Sequence, residues 1–224
     1  MTRTFDLLVF DWDGTLVDSE AKIIGAVHCA AADLGLEAPP ADEVRNIIGL
    51  GLREAIDILF PGRGMDFHRQ VAERYRHHFL EALQIPVTLF PGTREVLEEL
   101  TRQGYLLGVA TGKSRAGLAR EIELHELSGT FNATRCADEA ASKPHPQMLE
   151  EIMAELEVNP ERTLMVGDTE YDLRMARDAG AHGMAVSYGA HEASRLLEFQ
   201  PLAVLESLSE LPPWLEAETP GPEA

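Results

Sequence analysis

The chain has 224 residues, 45% of them hydrophobic, enough for one large or two modest globular units with a buried core. Its 19 basic and 38 acidic residues give a formal charge of -19, which excludes the clustered Lys and Arg of a nucleic-acid binder and any attraction to an anionic membrane surface. An anionic substrate gains nothing from such a field, so local cations must hold it, and the only lysines, Lys22, Lys113 and Lys143, carry corresponding weight.

The apolar run that begins at Phe5 predicts a short buried strand over 5–11, ending in Asp11-Trp12-Asp13-Gly14-Thr15. Residues i and i+2 of an extended chain point the same way, so Asp11 and Asp13 face one small site. Two like charges there repel unless a cation joins them or one carboxylate keeps its proton. That points to metal-assisted chemistry on an anion, against the plainer reading of an Asp-Gly turn at a strand end.

Residues 19 to about 84 read as helical throughout. Ser19 or Asp18 caps a helix running to about Asp33, with Ile23, Ile24, Val27 and Ala31 on one face. Asp42 opens a second helix, the Gly49-Leu50-Gly51 interruption precedes a third with Leu52, Ala55, Ile56 and Leu59, and a long helix spans Asp66 to Leu83. From Phe90-Pro91-Gly92 onward strands and helices alternate. Helices are predicted over 93–103, 114–124, 146–157 and 170–179. Strands are predicted over 105–110, 131–136, 163–166 and 182–186, with a last short one at 202–205. This pattern predicts an α/β fold, a doubly wound parallel sheet with right-handed crossovers, interrupted after its first strand by a helical insertion. Pro212-Pro213 begins an acidic tail, predicted to be disordered over 212–224.

Ligands of such sheets bind beyond the carboxyl ends of the strands, and the polar clusters fall there. Asp11 and Asp13 follow the first strand, Thr111-Gly112-Lys113 another, and Gly167-Asp168-Thr169 a third, with Asp172 four residues after Asp168; Lys143 sits in the loop Ala141-Ser142-Lys143-Pro144-His145-Pro146. Asp168 with Asp11 can hold a hard divalent cation such as magnesium through oxygen. Thr111 offers a hydroxyl, and the backbone N–H groups after it open a helix that favours a phosphate. Lys143 neutralises phosphate and keeps Asp11 ionised. Taken singly, Thr-Gly-Lys is a common helix start and Asp168 with Asp172 an ordinary helix cap. Their occurrence together on one rim is what carries the reading. His145 reads as a loop residue, and His77 and His78 as residues of a solvated helix face.

At these residues the chain resembles the haloacid dehalogenase superfamily of phosphatases: Asp11-Trp12-Asp13-Gly14-Thr15, Thr111, Lys143 and the Gly167-Asp168 to Asp172 stretch look like its four motifs, in order. Within it the chain is most similar to phosphoglycolate phosphatase and its relatives, a likeness carried by residues 11–20 and by Ser142-Lys143-Pro144-His145-Pro146. The resemblance implies a Rossmann-like catalytic core over 1–17 and 87–211 and an α-helical cap over 18–86. It implies Asp11 as nucleophile and Asp13 as general acid and then base, with Asp11, the Asp13 carbonyl and Asp168 holding Mg2+. Thr111, the Gly112 amide and Lys143 would hold the phosphoryl group, and Asp172 would orient Lys143 or a metal-bound water. Asp13 has to arrive protonated, which nearby carboxylates would favour. Trp12 stands where Phe is usual and is expected to change packing alone. Arg53, just after the glycine-rich cap segment, is a candidate contact to a second anionic group. Dehalogenases lack the second aspartate and phosphonatases carry a small residue at Asp13, so the chain departs from both.

The expected function is a magnesium-dependent phosphatase acting on a small phosphorylated metabolite, phosphoglycolate first, through an aspartyl-phosphate. A β-phosphoglucomutase-like mutase and a pyrophosphatase are alternatives within the family. A phosphoacceptor receiver domain is shorter, lacks the cap and places its acidic pair before the nucleophile; a non-catalytic regulatory scaffold fits poorly with a complete set of motifs. The N-terminal apolar stretch is interrupted by Asp6 and Asp11, unlike a signal peptide, and Cys29 and Cys136 form no motif. A cytoplasmic monomer or homodimer is expected, with no nucleic-acid or membrane partner.

Overall fold

The computed structural model describes residues 3–218. In chain order, β1 (Leu7–Phe10) is followed by the two-residue strand β2 (Val17–Asp18) and the helices α1 (Glu20–Asp33), α2 (Ala41–Asn46), α3 (Leu52–Leu59) and α4 (Met65–His77). The last of these runs on into a π-helical turn over His78–Ala82, and β3 (Thr88–Leu89) ends the stretch. Then come α5 (Thr93–Arg102), β4 (Leu106–Thr111), α6 (Arg115–Leu124), β5 (Ala133–Cys136), α7 (Gln147–Glu155), β6 (Thr163–Gly167), α8 (Glu170–Asp178), β7 (His182–Val186), α9 (Ala193–Leu197), β8 (Val204–Leu205) and α10 (Leu211–Glu218).

β1 sits inside a six-stranded parallel sheet of order β5-β4-β1-β6-β7-β8. Its four residues are fully buried, as a strand covered on both faces must be. The strand alternation divides them. Leu8 and Phe10 enter a core with Leu97 and Leu100 of α5 and Leu211 and Leu215 of α10, while Leu7 and Val9 pack with Met148 and Ile152 of α7 and Met175 of α8. Leu7 pairs with Leu106 on one side and Thr163 on the other, so β4, β1 and β6 end side by side. The chain order reverses at β1, the crevice where open α/β sheets bind ligands.

The helices between β1 and α5 surround a core of their own, with Ile23 and Val27 of α1, Val44 of α2, Ala55 of α3, and Phe79. An antiparallel ribbon, Val17 paired with Leu89 and Asp18 with Thr88, stands where the chain leaves the sheet unit and where it returns. The alternating strand pattern of the sequence misses this ribbon because each half is only two residues long.

Two expectations are corrected. The predicted disordered tail starts as a helix: Leu211, Pro212 and Leu215 of α10 are buried. Pro212 and Pro213 lie in its first turn, where backbone N–H groups lack intrahelical acceptors and proline is tolerated. Residues 219–224 of that tail lie outside the described residues. Second, Ser19 precedes α1 but makes no side-chain cap; its hydroxyl donates to Asp13 instead. A chain ended at residue 210 loses two buried leucines and is expected to lose about 3–6 kcal/mol of stability, at about 1.5–3 kcal/mol each. Urea denaturation checks this, and an unchanged midpoint would contradict the role given to α10. Among the described residues no helix is long and apolar enough to cross a membrane.

Candidate active site

The ends of β1, β4 and β6 bring the predicted residues together. Asp11 is fully buried. Its Oδ1 accepts from the Trp12 amide at 2.6 Å and from Lys143 Nζ at 2.7 Å. Its Oδ2 is buried and has no hydrogen-bond partner. Lys143, 1% exposed, also donates to Asp172 Oδ1 at 2.7 Å. Asp172 Oδ2 accepts from the Thr169 amide at 3.1 Å and its hydroxyl at 2.7 Å, a capping box that starts α8. Asp168 takes the Thr15 hydroxyl on Oδ1 and the Ala190 amide on Oδ2, each at 2.8 Å. Gly14, at φ +83°, passes so close that a Cβ there would lie 2.2 Å from Asp168 Oδ2; glycine is the residue that meets both demands.

Carboxylate oxygens of Asp11, Asp168 and Asp172 lie within 4.8 Å of one another, with Lys143 the cation that pairs with two of them. Burial, resisted by Lys143 and reinforced by the charges of Asp172 and Asp168, pushes the Asp11 carboxyl well above its usual range. Burial and then the Asp172 charge push Asp168 up to about 7, against the Ala190 and Thr15 hydrogen bonds. The donor set is all oxygen, it carries surplus negative charge, and Asp11 Oδ2 is left unpartnered. These residues fit a hard divalent cation. Asp172, expected to orient Lys143 or a metal-bound water, accepts a hydrogen bond from Lys143, and its carboxylate also lies within the cluster itself.

Asp13 has a separate surrounding. Ser19 Oγ donates to its Oδ1 at 2.6 Å, and Lys113 Nζ reaches Oδ1 at 3.0 Å and Oδ2 at 3.2 Å. Lys113 also pairs with buried Glu121 at 2.8 Å, and Glu121 Oε2 accepts from the Trp12 indole N–H at 2.6 Å. The charges of Asp13 and Glu121 hold the Lys113 ammonium above its usual range in spite of its burial. Trp12 therefore does more than pack: it ties the residue between the two aspartates to Glu121 across the site. Glu121 and Ser19 are site residues to which the sequence assigned no part in the chemistry, and Lys113, noted there as a rim lysine, gains its partners only here. Glu121 had a legible sign, since it lies one turn from buried Leu118 on α6, a charged residue at a core position.

Thr111 is buried, and its hydroxyl accepts from the Lys113 amide at 3.2 Å. Gly112 lies under the helical insertion: a Cβ on it would be 2.3 Å from the Leu50 carbonyl oxygen and 2.7 Å from that of Gly49. The Gly51 amide donates to Ser142 Oγ at 2.8 Å. On the other flank, the Asn46 carbonyl accepts from Tyr171 Oη at 2.8 Å, and the Asn46 side chain accepts from Arg195 Nη1 at 2.5 Å. The insertion is thus seated on the strand ends. Between the two lies a cavity of about 600 Å³ bordered by Asp13, Gly112 and Lys113. Arg53 is exposed and is not among the residues lining it.

The sequence model of the haloacid dehalogenase-like hydrolase family matches residues 8–186. The chain is 36% identical over 209 residues to probable phosphatase IndB of Dickeya dadantii, a match covering 92% of this chain and 91% of that protein. It is 27% identical over 219 residues to a phosphoglycolate phosphatase of Aliivibrio fischeri, covering 94% and 96%. Among solved structures it is similar to a haloacid dehalogenase-like family hydrolase from Streptococcus pneumoniae, with a TM-score of 0.81 at 25% identity, covering 94% of this chain and 98% of that one.

Proposed function

The chain belongs to the haloacid dehalogenase-like hydrolase family, and on that premise we propose that it is a magnesium-dependent phosphatase of organic phosphate monoesters, working through an aspartyl-phosphate. The observation that carries this reading is the unpartnered Asp11 Oδ2 beside Lys143 and Asp168. It supplies one oxygen to attack phosphorus and a ready-made place for a cation. Asp11, Asp168 and the backbone carbonyl of Asp13 would hold Mg2+, which when bound neutralises phosphoryl oxygens.

The chain's own residues do the rest. Lys143 holds Asp11 in place and faces the phosphoryl group with its charge. Thr111 and the Gly112 amide border that group. Asp13, paired with Lys113 in the free protein, takes up a proton as the ester binds; as the carboxylate oxygen of Asp11 bonds to phosphorus, the ester P–O bond breaks and Asp13 gives that proton to the departing alcohol oxygen. Water then attacks phosphorus, Asp13 takes the water's proton, and phosphate leaves with Asp11 restored. The unit over 18–86 covers the site during these steps and shields the phosphoenzyme from stray water.

A phosphate-release screen over phosphorylated metabolites, run with Mg2+ and with EDTA, tests the proposal. Release is expected with Mg2+ and lost in EDTA; undiminished release in EDTA would overturn it. Gly112→Ala tests the seating of the cap. The added methyl group cannot coexist with the Leu50 carbonyl at its present distance. The cap loop must lift, and kcat/KM is expected to fall about tenfold to a hundredfold. Rates equal to the parent protein would show that closure does not matter.

A further inference from the structure

The cavity between the cap and the strand ends has a lining that narrows the substrate class. Val27 of α1, Ile56 and Leu59 of α3, Val71 and Tyr75 of α4, and Phe79 of the π-helical turn face it. Asp13 and Gly112 border the same space, so it begins where the leaving oxygen of a bound ester would sit. Its volume, about 600 Å³, is that of a site for a sizeable organic group. Burial pushes the Tyr75 hydroxyl above its usual range, against the nearby Lys113 charge.

Charge in the lining is committed or at the surface. Lys113 is already bound by Asp13 and Glu121, and Arg76, Arg120 and Asp138 are exposed. The carboxylate of a short hydroxy-acid phosphate such as phosphoglycolate would lose its water against apolar walls without gaining a free buried cation. An alkyl or aryl group would gain from the same walls.

We infer that the alcohol half of the substrate is bulky and apolar, a branched-alkyl or aryl-alkyl group housed in this cavity, and not a short hydroxy acid or a second phosphate. This rests on the phosphatase reading above. The test is kcat/KM for phosphate release from acetyl phosphate, phosphoglycolate, pyrophosphate, and ethyl, butyl and hexyl phosphate. The alkyl esters share one leaving-group chemistry, so differences among them report the cavity. A rise of about fourfold per methylene is expected, with hexyl phosphate ahead of phosphoglycolate by at least about tenfold. Leu59→Gln and Ala55→Leu, one making the wall polar and the other filling the space, are expected to flatten that slope. The hexyl-to-ethyl ratio is read within each variant, which cancels differences in the amount of active protein. A flat slope in the parent protein, or a preference for phosphoglycolate or pyrophosphate, overturns the inference and leaves the phosphatase standing. No release from any of these compounds, acetyl phosphate included, overturns both.

Discussion

Replacing Asp11 with asparagine is expected to abolish phosphate release, by at least about a thousandfold in kcat, while leaving the fold intact. The amide is the carboxylate's isostere. Its oxygen can keep both bonds now made by Oδ1, from the Trp12 amide and Lys143 Nζ. Its NH2 group then occupies the position of Oδ2, the atom with no partner. A group that donates hydrogen bonds replaces the oxygen proposed to attack phosphorus, and it points a partial positive charge at the place proposed for the cation. Loss of activity should therefore come with loss of Mg2+ affinity, measured by calorimetry. Stability should move the other way. In metal-free protein the variant removes one of three clustered buried carboxylates, so its melting temperature in EDTA should equal or exceed that of the parent. Undiminished release by the variant would sink the mechanism.

Lys143→Met is expected to fail in both respects. The ammonium is fully buried and lies 2.7 Å from both Asp11 and Asp172. Methionine fills much of the same volume and leaves two carboxylates without their counter-charge. Breaking a buried pair in this way costs about 3–5 kcal/mol, because the remaining charge has no partner. Urea unfolding followed by circular dichroism should show a loss of that size in EDTA and a smaller one in excess Mg2+, where the cation offsets part of the missing charge. Phosphate release should be lost in either buffer. An unchanged urea midpoint would mean that the ammonium does not hold the cluster together.

Much of this site was legible in the chain because strand ends in a parallel sheet share one rim. Asp11, Thr111 and Asp168 each follow a recognisable apolar run, and the structure sets those runs side by side. Lys143 was legible from its loop and from the scarcity of lysine. The pairings that cross the site were not. Trp12 meets Glu121 and Asp13 meets Lys113 at separations of 109 and 100 residues, and no local period encodes such a meeting. Arg53 shows the opposite fault. It follows the cap loop and carries charge, yet Leu52, Ala55, Ile56 and Leu59 form the face of α3 that lines the cavity, and Arg53 falls beside that face, not on it. The proline pair at 212–213 misleads because proline breaks a helix interior but not its first turn.

The ribbon of Val17–Asp18 with Thr88–Leu89 has a bearing on how such enzymes diversify. Both ends of the helical insertion are tied at one place, so the sheet unit meets the same short ladder whatever the chain does between residues 19 and 87. Lengthening that stretch costs the slowly growing entropy of a larger closed loop, and exchanging it also gives up the Asn46 and Gly51 hydrogen bonds that seat it. The groups proposed to break the ester stay on the sheet side, while the apolar walls beside Asp13 travel with the insertion. A lineage can therefore trade one substrate for another by recombination at two neighbouring junctions, and a designer can graft a foreign cap there without touching the buried aspartates.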